Sequence, residues 1–248
     1  MPGRDARHRS TGSSRWTAGP RLGLIACTAV LVGSCASGGD VRGEGPGAPS
    51  ATVVPSTSAR THPVTTVVVS DDPAVSAAGP TATGAWPGEL AALLEGSGTA
   101  LDLEVAAKDA AGFAVEDPAA PSFADLVRDR VVHSTQLVVF SETQFGSAAA
   151  PDVAQGAREA FAAVEEAAPD ALIVVVAPWT SAPDLPAPTA EVRAAVHAAA
   201  QSAEVAVTYV DPVADGWPTG ASQQQVAELL LPDVAPLVTA LAGSGAFD

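Results

Sequence analysis

Thr65-Thr66-Val67-Val68-Val69-Ser70 decides the fold. The run is β-branched up to its final Ser and shows no polar alternation, the signature of a strand buried on both faces. Toward the C-terminus, a short alternating strand, Leu101 to Ala106, and three more apolar runs, Gln136 to Phe140, Ala171 to Ala177 and Val205 to Val210, follow at helix-sized intervals. The segments between them read as helices. Trp86 to Glu95 has Pro87 in its first turn, where a missing N–H costs nothing. Ser122 can N-cap a helix through Phe123, Leu126, Val127 and Val131. Pro151 to Ala168 carries a stripe at Val153, Ala157, Phe161 and Val164, and Thr189 to Ser202 turns Val192 and Val196 inward. A last helical region starts near Ala221 and is expected to break at Pro232 and Pro236. Strands alternating with helices imply βαβ units, a parallel sheet and helices on both faces. The expected fold is therefore a three-layer α/β/α domain on a five-stranded parallel sheet. Functional groups then cluster at the carboxyl ends of the strands.

Upstream of that domain the chain has another character. Arg4, Arg7, Arg9, Arg15 and Arg21 precede an uncharged stretch, Leu22 to Ser34. A basic segment followed by 7–15 apolar residues is the pattern of a secretory signal peptide, and it is too short for a comfortable membrane span. Val32-Gly33-Ser34-Cys35 resembles a bacterial lipobox, which makes Cys35 the expected lipidation site. Residues 1–34 are thus expected to be a lipoprotein signal, 35–64 a Gly-, Pro- and Ser-rich disordered tether that includes His62, and 65–248 the folded domain. The expected location is the outer face of the cell membrane, held there by the lipid. Cys27 would leave with the signal, so the domain would have no thiol to pair.

Composition excludes several classes. The formal net charge is -16, from 12 basic and 28 acidic residues. Loss of residues 1–34 would remove five Arg and Asp5, moving it to -20. Nucleic acid is an unsuitable partner for such a surface. Two Cys and four His leave no zinc scaffold. No Walker loop, Rossmann glycine fingerprint, HExxH or CxxC occurs, and no cofactor is expected. A monomer is expected.

The strand-end segments carry a resemblance. VVVSDDPAVS followed by AWPGELAALL, then EVAAKDAAGFAV, SFADLVRDRV, LVVFSETQFG, APDALIVVVAPW and TYVDPVADGW resemble, block by block, the SGNH (GDSL-type) hydrolases, particularly secreted actinobacterial members. The resemblance covers about residues 65–242. It implies a flavodoxin-like arrangement and an acyl-ester hydrolase. In that chemistry a Ser after the first strand attacks the carbonyl, a His from an Asp-x-x-His loop takes its proton, and a Gly N–H with an Asn amide binds the oxyanion.

At the reactive positions the pattern departs. Gly-Asp-Ser falls on Ser70-Asp71-Asp72, so a carboxylate stands where the nucleophile belongs. The turn Gly falls near Asp109 or Ala110, with Gly112 beside it. The oxyanion Asn falls on Gln144 or its neighbour. The His block either places Trp217 at the His position or lacks that loop altogether; no His follows His197. The resemblance therefore implies a degenerate, noncatalytic homologue that binds an envelope polysaccharide or a partner protein. The alternative is an active esterase with relocated residues. His197 reads as a helix-surface residue, and His133 as the end of the helix before the third strand. Asp71, Asp72 and Glu142 can be read as a carboxylate cluster for a hard cation or for acid–base work, but an acidic, solvated loop rim is the reading favoured. Trp179 and Trp217 suit a carbohydrate or cationic ligand, and equally the packing of the sheet edge.

Overall fold

The computed structural model describes residues 62–115, 117–143, 148–179 and 190–244. In chain order the elements are β1 (Val64–Ser70), α1 (Pro73–Ala78), α2 (Trp86–Gly96), β2 (Leu101–Ala107), α3 (Phe123–Arg130), β3 (Leu137–Ser141), α4 (Ala150–Ala167), β4 (Leu172–Val176), α5 (Ala190–Ser202), β5 (Val207–Val210) and α6 (Gln223–Ser244). The five strands form one parallel sheet in the order β2-β1-β3-β4-β5. That is the flavodoxin-like order, and it reverses at β1.

Continuous apolar strands are what two helical layers require. Alternate residues of one strand go to opposite faces. Val67 and Val69 of β1, Phe140 of β3 and Ile173 of β4 enter one core cluster, which is closed by α3, α4 and α5. Val64 and Val68, Val139 and Val174 enter the other, which is closed by α1, α2 and α6. A one-residue slip would exchange the two sets, but both faces are apolar. Register is set instead by the ladder pairing Ser70 with Ser141 on one side and with Ala107 on the other. α3 begins as Ser122 dictates: its hydroxyl accepts from Asp125 N–H, and the Asp125 carboxylate accepts from Ser122 N–H, a complete capping box.

Three expectations need correction. The last helix is not interrupted: α6 runs from Gln223 to Ser244 through Pro232 and Pro236. Both prolines are exposed and lie four residues apart on one face, so the carbonyls they leave without an N–H partner face water. α1 replaces what reads as a loop after Ser70. The signal was present in Asp72-Pro73, an N-cap followed by an N1 proline. His133 does not end α3: the helix stops at Arg130, and His133 is exposed in the turn that leads to β3.

Candidate functional site

Reversal of strand order at β1 opens a crevice at the carboxyl ends of β1 and β3, where ligands of doubly wound sheets bind. Ser70 and Ser141 end those strands in register. The chain leaving β1 supplies Asp71 and Asp72, and the chain leaving β3 supplies Glu142 and Thr143.

The three acidic residues have different fates. Asp71 is fully buried, and its Oδ1 accepts from Thr143 N–H at 2.6 Å and from the Thr143 hydroxyl at 3.0 Å. Asp72 is half-buried and caps α1: Oδ1 accepts from Ala74 N–H at 2.8 Å, while Oδ2 accepts from the Gln223 amide at 3.3 Å. Its own N–H donates to Ser70 Oγ at 3.1 Å. Glu142 is 2 % exposed. Its Oε1 accepts from Phe113 N–H at 3.0 Å, and among the described residues its Oε2 has no hydrogen-bond partner. Burial first, and the neighbouring Asp71 carboxylate second, push its pKa up to about 8. At pH 7 Glu142 therefore holds its proton. The solvated acidic rim is thus overturned for Asp71 and Glu142, which lie inside. Among the described residues, no group of three or more His, Cys, Asp or Glu could hold a metal ion.

Gly112 lies directly on Glu142. A Cβ at Gly112 would stand 2.6 Å from Glu142 Oε1, so only glycine lets this turn approach so closely. Trp179 N–H donates to Glu142 C=O at 3.2 Å, which ties the end of β4 to the same point. Trp179 and Trp217 are both 8 % exposed and meet edge to face, 5.4 Å between ring centres. The loop carrying Trp217 is pinned by Asp211, which accepts from Arg193 at 2.7 and 2.8 Å and from Val213 N–H and Ala214 N–H at 3.1 Å each. Trp217 N–H then donates to Pro212 C=O at 2.8 Å.

Asp72, Ser141, Thr143, Trp179, Trp217 and Gln223 contribute to the lining of one cavity of about 10 Å³. That is room for a single water and not for an acyl substrate. Gln223 is the residue that sequence reading missed. Besides binding Asp72, its Oε1 accepts from Trp86 N–H at 2.9 Å, joining α6, α2 and α1 at the mouth of the crevice.

Of the residues singled out in the sequence, Ser70 ends β1 and Asp71 and Asp72 follow it, Trp217, Trp179 and Asp72 line one cavity, and Gly112 lies on Glu142. Gln144 and Cys35 lie outside the described residues, as do the signal segment 1–34 and most of the tether. The described histidines stand elsewhere. His62 precedes β1 and His133 precedes β3, both at the amino ends of the strands. His197 sits on the exposed side of α5, stacked on Tyr209 with ring centres 4.4 Å apart.

This layout, a parallel five-stranded α/β/α sheet with its crevice at β1 and β3, is consistent with the SGNH-hydrolase fold. The chain is a distant homologue of a GDSL lipase: it is 31% identical over 137 residues to the GDSL lipase Rv0518 of Mycobacterium tuberculosis (strain ATCC 25618 / H37Rv). The match takes in 53% of this chain and 58% of that protein, so the chain spans a little over half the length of the relative. No protein-family model matches.

Proposed function

We propose that this chain is an exported, lipid-anchored member of the SGNH (GDSL) hydrolase family that no longer catalyses acyl transfer and binds an envelope glycan or a partner protein. The observation that carries this reading is the state of Asp72. It occupies the nucleophile position of the family pattern, yet both carboxylate oxygens are engaged, one on Ala74 N–H and one on Gln223. A carboxylate there repels a developing oxyanion instead of attacking the carbonyl. The missing base points the same way, because no described His lies at the carboxyl ends of the strands. The small volume of the cavity that Trp179 and Trp217 line, about 10 Å³, also favours recognition at the rim over chemistry inside.

The test is hydrolysis of short p-nitrophenyl esters by the purified protein. No turnover above buffer is expected, together with saturable binding to envelope polysaccharide or retention of one envelope protein. Turnover abolished by Asp72→Ala or Ser70→Ala would establish the active esterase instead. The homology to a GDSL lipase favours that second reading, and Ser70 and Ser141 are the hydroxyls it would draw on. For the anchor, mass spectrometry of the wild type against Cys35→Ala is expected to show the acyl mass on the wild type alone. A wild type shed without lipid contradicts attachment.

A further inference from the structure

We propose that Glu142 is a proton-dependent latch: while its carboxyl is protonated it fastens the strand-end turns together, and its ionisation releases the turn between β2 and α3.

Three segments meet on this one side chain. Phe113 N–H from the β2–α3 turn donates to Oε1. Asp71, at the end of β1, is the charged group that acts on it. The β3 end carries Glu142 itself, with Thr143 bonded to Asp71 and the Glu142 carbonyl bonded to Trp179 N–H. Among the described residues, packed elements thus present Glu142 with one acid and two backbone N–H groups, one on its carboxyl and one on its carbonyl, and Oε2 has no hydrogen-bond partner. A neutral acid tolerates that environment. An ionised one places a second carboxylate beside Asp71; the Phe113 N–H bond favours the ion, but burial and the Asp71 charge outweigh it, and no other donor to the carboxyl occurs among the described residues.

Ionisation therefore requires water to reach the carboxyl. Among the described residues, the Gly112 backbone lies on the carboxyl, close enough that a Cβ would stand 2.6 Å from Oε1. The same turn contains Ala110 at φ +60°, a left-handed conformation that costs an alanine free energy. The element that must lift is thus already strained, so lifting it relieves the strain as well as hydrating the carboxylate. The latch follows from these contacts alone and holds whether or not the crevice carries out acyl chemistry. Its failure and the failure of the proposed function are separate outcomes.

The experiment is amide hydrogen exchange of Phe113 and its neighbours in the purified protein between pH 6 and 10, expressed as protection factors so that base catalysis is removed. In the wild type, protection at Phe113 is expected to fall at least tenfold between pH 6 and about 8 and to level off above that. Glu142→Gln, which keeps the acceptor and cannot ionise, is expected to show no such transition. Identical profiles in the two proteins overturn the latch. A carbon-13 titration of the Glu142 carboxyl in the wild type needs no variant. A midpoint in the ordinary carboxylate range also overturns it, even if Glu142→Gln does not fold.

Discussion

Gly156→Ala sets two effects of opposite sign against each other. In an unencumbered helix interior the change gains about 1 kcal/mol of helix propensity. In α4, however, a Cβ at this position would lie 1.7 Å from the Phe113 carbonyl oxygen and 2.5 Å from its carbonyl carbon, where ordinary contact starts at 3.4 Å. Relief needs a retreat of about 1.7 Å by the Phe113 backbone. Phe113 has little freedom to retreat. Its ring packs on Phe123, Phe140 and Phe161 at centre distances of 4.9, 5.8 and 6.0 Å, and its N–H is bonded to Glu142. Overpacking of this kind costs about 1–3 kcal/mol, and disturbed aromatic pairs add about 0.5–1.5 kcal/mol each. With all three pairs disturbed, and after the propensity gain, the expected net loss is about 1.5–6.5 kcal/mol. At about 2–4 °C per kcal/mol for a domain of this size, that lowers Tm by roughly 3–26 °C. Calorimetry of Gly156→Ala beside Gly96→Ala, whose Cβ would meet nothing within 4 Å, isolates the steric term. A Gly156→Ala protein as stable as the wild type, or more so, would refute the close approach of α4 to the β2–α3 turn.

Other variants probe the crevice. Glu142 has a folded pKa raised from 4.5 to about 8, so its stabilising contribution is whole below pH 4.5 and is lost as pH rises to about 8. At about 1.4 kcal/mol per unit the loss approaches roughly 5 kcal/mol. Urea melts of wild type and Glu142→Gln should therefore diverge from pH 5 to 8, with the Gln variant the more stable at pH 8; parallel curves would contradict this. Trp217→Ala removes a side chain only 8 % exposed and should cost about 3–5 kcal/mol, while the fluorescence of Trp179 shifts as its edge-to-face partner is lost. A cost under 1 kcal/mol would place Trp217 outside the packed crevice. Asp72→Ser keeps an N-cap oxygen, so stability should change by less than about 1 kcal/mol. It also restores a hydroxyl at the nucleophile position, and no ester turnover is expected, because no described His can accept its proton. Turnover by this single variant would reveal an unrecognised base.

The strands were legible because burial on two faces leaves a mark that needs no tertiary knowledge, as in Val67-Val68-Val69 and Ile173-Val174-Val175. Ser122 was legible for a local reason too, since its capping box closes within four residues. The crevice was only half legible. The positions of Ser70, Asp71 and Asp72 follow from the end of β1, but burial of an acid depends on what covers it. Glu142 is covered by Gly112, 30 residues away in sequence, and a glycine reports nothing about what lies on it. Gln223 looked like one of three glutamines at a helix start, and its reach to Asp72 and Trp86 is set by how α6 docks beside α2. The prolines of α6 misled because propensity rules price the lost N–H without knowing which side faces water.

A parallel sheet also sorts the ends of the chain. The chain enters the sheet at Val64, the amino end of β1, whereas Asp72 and Glu142 mark the carboxyl end, about 20 Å away along a seven-residue strand. α6 starts beside Asp72 and runs back the other way, so Ser244 leaves toward the entry side. Both attachment points therefore lie under the sheet and the crevice lies on top. A segment fused at residue 62 and one fused after 244 would therefore both join the folded domain on the side opposite its crevice. A bead or surface coupled at either end would leave the mouth of the crevice unobstructed.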